Sequence, residues 1–243
     1  MKDTVFEKLR QELPKIQRNV LMKHHTTFNI GGPAEYFLLA HKEKETFHAI
    51  KVAKKLKIPM FVMGGGSNLL VSDRGVKGLV VKNQAREPIV LIKSAVIKAP
   101  AGMVLEKLVD FSIKKSLEGL EWAGGLPGSF GGAIRGNAGA FGGEVKDSVL
   151  RVRALDNDLT LRELSNKQCQ FSYRSSIFKE KNWVVLSALV QLKQGDKKKL
   201  QGICQSHKQY RRDRHPLEYP NAGSIFKNVA VKDLAKSSNN FFR

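Results

Sequence analysis

The chain has little cysteine. Cys169 and Cys204 are the only two in 243 residues, with no CxxC pair and no cluster with histidine. That excludes a disulfide scaffold and argues against a zinc centre, and it fits a reducing, cytoplasmic setting. Long hydrophobic runs are missing too: stretches such as VVLSALV at 184–190 fall far short of the ~20 apolar residues a bilayer-spanning helix needs. The opening MKDTVFEKLRQEL is charged throughout, so neither a signal peptide nor membrane insertion is expected. Acidic residues are scarce, 22 Asp+Glu against 42 Lys+Arg, giving a formal charge of +20. Such a field favours anionic partners. The basic residues are nevertheless dispersed, at 51–57, 197–199 and 211–214, without an RRM, KH, zinc-finger or heptad pattern, so no nucleic-acid partner is expected. Nothing in the pattern fixes an oligomeric state.

What is abundant is glycine, in one place. Residues 124–143 read GGLPGSFGGAIRGNAGAFGG, nine glycines in twenty. A helix or strand interior is disfavoured there, because each glycine costs about 0.5–1 kcal/mol relative to alanine. The interleaved Leu126, Phe130, Ile134 and Phe141 argue against a polar linker. Two readings stay open: a buried backbone cradle for a sizeable ligand, or tight turns between short core strands.

Periodicity predicts helices over 4–13, 43–57 and 103–115, and a basic helix over 196–214 with Leu200, Ile203, Cys204, His207 and Tyr210 on one side. Strands are expected at 34–40, 78–82, 88–93, 95–99 and 183–192, with a short buried strand PMFVM before GGGSN and a hairpin over 149–164. The first 194 residues read as α+β, with a domain boundary near 194.

Four segments carry chemistry. Gly64, Gly65, Gly66, Ser67 and Asn68 follow a hydrophobic strand and could offer consecutive N–H groups to a pyrophosphate, or form an ordinary turn. The loop is not a Walker A motif, and Leu69 replaces the last glycine of a dinucleotide fingerprint. The 124–143 stretch lies about sixty residues further on, so one extended cofactor could cross both. In FSYRSS (171–176), Arg174 could hold a carboxylate and Tyr173 could donate to it, or Arg174 could be a strand-edge residue in water. In NAGSIFKN (221–228), Ser224 beside Lys227 and Asn228 could be an activated hydroxyl, though no GxSxG elbow supports a hydrolase. His207 reads as a packed helix residue rather than a base. No metal site is expected.

HTTFNIGGPAEYF (25–37), GGGSNLLVSDRGVKGLVV (64–81), GLEWAGGLPGSFGGAIRGNAGAFGGE (119–144), FSYRSSIF (171–178) and PLEYPNAGSIFKN (216–228) occur in that order. Together they resemble the UDP-N-acetylenolpyruvoylglucosamine reductase (UDP-N-acetylmuramate dehydrogenase) family, bacterial flavoenzymes of peptidoglycan precursor synthesis, over residues 20–230. The resemblance implies an α+β, vanillyl-alcohol-oxidase/PCMH-type FAD-binding fold of two subdomains, followed by an incomplete substrate-binding lobe. It divides the chain into an N-terminal helix (1–20), an FAD-binding domain (21–194) and a truncated C-terminal lobe (195–243). It implies FAD as cofactor, NADPH as reductant and a UDP-sugar as substrate.

By the same resemblance Gly31, Gly32, Gly64, Gly65, Gly66, Ser67 and Asn68 would contact FAD, the last five at its pyrophosphate. Leu126, Pro127, Gly128, Ser129, Gly131 and Gly132, with Ala133, Asn137 and Ala138, would lie along the flavin. Arg174 would polarise the substrate carboxylate, and Ser224 would give a proton to the enolpyruvyl group. Tyr173, Arg211, Lys227 and Asn228 would contact the substrate. The short gap between Phe178 and Trp183 resembles the subtype without an extra tyrosine-bearing loop. The family continues beyond the FKN motif to a glutamate that assists the proton step, for which 229–243 offers no counterpart. The alternative to an active reductase is an impaired FAD-binding remnant of one.

Overall fold

The computed structural model describes residues 4–85, 87–224 and 226–228. Of the lobe expected over 195–243, residues 229–243 lie outside the described residues. The first unit holds α1 (Thr4–Glu12), β1 (Gln17–Leu21), β2 (Pro33–Ala40), α2 (Glu43–Lys55), β3 (Met60–Met63) and β4 (Val76–Asn83). Its sheet runs β1-β2-β4-β3, with β1 antiparallel to β2 and the other pairs parallel. Both faces are covered, as parallel strands require. Tyr36, Leu38, Ala40, Leu79 and Val81 turn to the helices, where Leu9, Ala49, Val52 and Ala53 meet them. Phe37 and Val80, one residue out of phase, turn to the other face with Met22, Met63 and Val71.

The second unit adds β5 (Val90–Lys93), β6 (Val96–Pro100), α3 (Leu105–Lys114), β7 (Leu117–Glu118), α4 (Phe130–Arg135), β8 (Gly139–Ala140), β9 (Gly143–Glu144), β10 (Val149–Leu155), β11 (Leu161–Ser165), α5 (Ile177–Glu180), β12 (Val184–Gln191), β13 (Lys193–Gln194) and α6 (Lys197–Arg214). Five of these strands form one antiparallel sheet in the order β11-β10-β12-β6-β5. One core spans that sheet, α3, α4 and α5. Leu200 and Cys204 of α6 belong to it as well. Burial pushes the Cys169 thiol up to about 12 and raises that of Cys204, so both are inert packing groups.

Two expectations need correction. The segment PMFVM is not a buried strand: β3 is the edge of its sheet, Phe61 is exposed, and only Met63 is buried. The glycine-rich stretch does contain a helix, α4, with Gly131 and Gly132 inside it. Ser129 caps it by accepting from the Gly132 N–H at 3.3 Å. A Cβ on Gly131 would stand 2.6 Å from the Ala101 Cβ, so helical propensity is given up for close approach to the end of β6.

The two units meet through Ile50 of α2, Leu155 of β10 and Leu186 of β12. The Arg153 guanidinium reaches Glu43 at 2.8 Å across the same seam. Leu155 is fully buried there, so Leu155→Ala should cost about 2–4 kcal/mol, read as a lowered denaturant midpoint. A loss below about 1 kcal/mol would mean the seam is not packed as described.

Candidate functional site

The GGGSN loop leaves the C-terminal end of β3 and meets the LPGS loop that precedes α4. A Cβ on Gly64 would stand 1.9 Å from the Ser129 Oγ, and one on Gly65 3.2 Å from the Gly128 Cα. Gly128 has φ +122, and its Cβ would meet the Ser67 Oγ at 2.7 Å. Ser67 Oγ donates to the Pro127 carbonyl at 3.3 Å. The LPGS loop is held from behind by Leu105 N–H to Gly128 O (3.0 Å), Phe130 N–H to Met103 O (2.8 Å) and Gly131 N–H to Ala101 O (2.8 Å). The two loops therefore touch closely: backbone meets backbone at Gly65 and Gly128, and only the small Ser67 and Ser129 side chains lie in the contact.

Among the described residues, the backbone N–H groups of Gly65, Gly66, Ser67, Asn68, Gly128 and Ser129 donate to no protein acceptor. Two facing runs of free donors suit a bridging diphosphate. The other glycine pair is used differently. Gly31 and Gly32 are buried, and a Cβ on Gly32 would lie 2.0 Å from the Asp73 carbonyl oxygen. Gly32 exchanges backbone bonds with Ser72 and Met22, bracing the start of β2.

Beyond α4 the chain turns through Asn137, whose amide is fully buried. It donates to Glu144 Oε2 (3.1 Å) and Ser172 O (3.0 Å) and accepts from Lys146 N–H (3.1 Å). Asn137 thus ties the β8–β9 hairpin to FSYRSS. Ala133 is buried in α4, while Leu126 and Ala138 are half-buried against the main core. Arg174 sits in a tight turn closed by Ser172 and Ser175, at φ +56. Its Nη2 donates to Gly139 O at 3.1 Å, and its guanidinium lies 5.2 Å from the Tyr173 ring centre. Lys179 Nζ donates to the Arg174 carbonyl at 3.0 Å.

The charges around this turn are mostly positive. Burial, then Lys227, then Arg135 hold Lys179 below the usual lysine range. Glu144 is held low by its hydrogen bond from Lys146, against burial, with Asn137 and Arg174 adding to the effect. Its charge is already engaged by Lys146 at 2.6 Å.

On α6, Arg211 Nε donates to Gly124 O at 3.2 Å, and its guanidinium lies 5.2 Å from the Phe141 ring centre. Its Nη2 is buried and has no partner among the described residues. Phe141 in turn stacks flat on His207, with centroids 3.9 Å apart. Sequence reasoning did not assign Phe141 to the site. Its signal in the sequence is a lone aromatic just before Gly142 and Gly143, and the structure puts it at φ +51.

Asn221, Ala222 and Asn228 are tied back to Thr27, Asn68 and Tyr173. Asn68 Nδ2 donates to Ala222 O at 2.9 Å, and Asn228 N–H donates to the Tyr173 hydroxyl at 3.4 Å. Ser224 is exposed between those anchors, as is Lys227. The structure ties GGGSN to LPGS and to Ala222, and FSYRSS to Asn228. It gives Ser224 no direct hydrogen bond among the described residues.

A family model described as an FAD binding domain matches residues 34–165. The UDP-N-acetylenolpyruvoylglucosamine reductase of Caldanaerobacter subterraneus subsp. tengcongensis is 40% identical over 229 residues, spanning 93% of this chain and 76% of that relative. The solved UDP-N-acetylenolpyruvylglucosamine reductase from Thermus caldophilus is 26% identical with a TM-score of 0.72, covering 92% of this chain and 80% of that one. An alkyldihydroxyacetonephosphate synthase, 13% identical with a TM-score of 0.59 and matched over 80% of this chain and 41% of its own, shares the fold alone. The expected PCMH-type fold and the FAD cofactor are therefore shown, and the free donors on the two glycine loops fit that cofactor.

Gly64→Ala should force the loops apart and weaken FAD binding by on the order of tenfold or more, measured by flavin titration. Gly202→Ala, in α6 with open space around its Cβ, should leave FAD binding unchanged.

Proposed function

The chain belongs to the UDP-N-acetylenolpyruvoylglucosamine reductase family, and from that premise we propose that it uses NADPH to reduce the enolpyruvyl double bond of UDP-N-acetylglucosamine enolpyruvate, giving UDP-N-acetylmuramate for peptidoglycan precursors. In the net reaction a hydride equivalent from NADPH ends on C3 and a proton on C2, with loss of the carbon–carbon π bond. When bound, FAD supplies the two-electron redox chemistry between NADPH and the sugar. In this reading residues 21–194 hold FAD and the segment from 195 onward meets the substrate. A soluble nucleotide sugar places the activity in the cytoplasm, upstream of wall growth, cell shape and division.

One observation carries the reading: the segment with Ser224 is anchored at one end to the cofactor loop through Asn68 and at the other to Tyr173, next to Arg174. Arg174 makes no ion pair among the described residues and spends one N–H on Gly139. It is left with donors for a substrate carboxylate, and its charge stabilises the negative charge that builds as C3 is reduced. Ser224 is exposed and in this reading delivers a proton at C2, because an enolate-like carbanion is basic enough to take one from a hydroxyl. Lys227, Asn228 and Arg211 are suited to the anionic UDP, and the unpaired Nη2 of Arg211 is a buried donor awaiting an acceptor.

Anaerobic half-reactions test these roles. Ser224→Ala should leave reduction by NADPH intact while slowing reoxidation by the enolpyruvyl sugar by about 10²–10⁴-fold. Equal losses in both halves would remove Ser224 from the proton step. Arg174→Ala should impair only the sugar-dependent half with FAD content normal, and colourless protein would make Arg174 structural instead.

A further inference from the structure

Thr27 has no part in the chemistry above, yet three backbone or side-chain bonds converge on it. Its N–H donates to Gly66 O at 3.2 Å, so it is fixed to the glycine loop. Its Oγ1 donates to Asn221 O at 2.7 Å, and its carbonyl accepts the Asn221 N–H at 3.2 Å. Gly66 itself leaves no room for slippage, since a Cβ there would stand 2.3 Å from the His25 carbonyl oxygen. Two residues along the same loop, Asn68 Nδ2 holds Ala222 O at 2.9 Å. Two adjacent residues of the 221–228 segment are thus tied to two positions of the loop with free N–H donors. Ser224 lies two residues further on.

We propose that Thr27, with Asn68, is a positioning residue that ties the Ser224-bearing segment to the glycine loop, so that seating the cofactor and placing Ser224 share one equilibrium. This rests on the function proposed above. A ligand on the free N–H groups of 65–68 restricts that loop, and the loop restricts 221–222 through Thr27 and Asn68. By reciprocity, a substrate that orders 221–228 tightens the loop on its cofactor to the same degree. The coupling travels through four short hydrogen bonds and needs no domain movement. Thr27 touches neither reacting group in this scheme and acts only through Asn221.

Hydrogen exchange of residues 219–224 reads the tie without any turnover. FAD should protect this segment in the wild-type holoenzyme relative to the flavin-stripped protein. Thr27→Val should raise its exchange on the order of fivefold, the loss of about one net hydrogen bond. Thr27→Ser, which keeps the hydroxyl, should restore protection. In the same Thr27→Val holoenzyme, reduction by NADPH should be unchanged while reoxidation by the enolpyruvyl sugar slows. Asn68→Ala cuts only the Ala222 bond and gives a second reading of exchange should Thr27→Val fold poorly. Unchanged exchange in both variants overturns the proposal. So does faster exchange with both half-reactions slowed equally, which would mark a general structural role. A wild-type enzyme that the sugar fails to reoxidise would sink the proposed function alone, because the exchange arm still decides whether the tie exists.

Discussion

The contact between Gly64 and Ser129 is the constraint on which the rest of the site depends. It joins a loop set by the parallel sheet to a loop set by α3 and α4, at a distance that leaves no space even for a methyl group. Ladder geometry positions the first loop, since Met63 pairs with Lys82 just before it. The second is positioned by three backbone bonds to Ala101, Met103 and Leu105, from the end of β6 to the start of α3. The seam of Ile50, Leu155 and Leu186, with the Arg153–Glu43 pair, holds the two units so that the loops arrive together. Packing elsewhere in the molecule brings these two loops face to face.

Charge follows the same logic on the other side of the site. Burial first, then the positive charges of Lys227 and Arg135, lower Lys179, and the Lys179 bond to its carbonyl adds Arg174 to this basic cluster. Such a cluster is costly in isolation and becomes favourable when an anion shares it.

The parallel strands were readable from sequence as short apolar runs: YFLLA at 36–40 is apolar throughout because its sheet is covered on both faces. The edge position of β3 was not, since nothing local tells MFVM that β4 lies on only one side of it. Helix α4 was hidden for a similar reason. Gly131 looks like a helix breaker until Ala101 is seen against it. The motif residues mark loops that the structure ties together, but their local tasks needed coordinates. Asn137 engages Glu144, Ser172 and Lys146, and Gly32 backs onto Asp73. Thr27 and the Phe141–His207 stack depend on residues distant in sequence, which no local pattern encodes.

Helix α6 supplies Leu200 and Cys204 to the same core as Ile97 and Val152. This has a consequence for synthesis on the ribosome. The five-stranded sheet gets its last strand by Gln191, but its core stays open until residue 204 has emerged from the exit tunnel. The parallel-sheet unit, complete by Asn83, can close much earlier and wait. The two halves of the cofactor cradle are therefore finished far apart in time, and a nascent chain presents one loop before its counterpart exists.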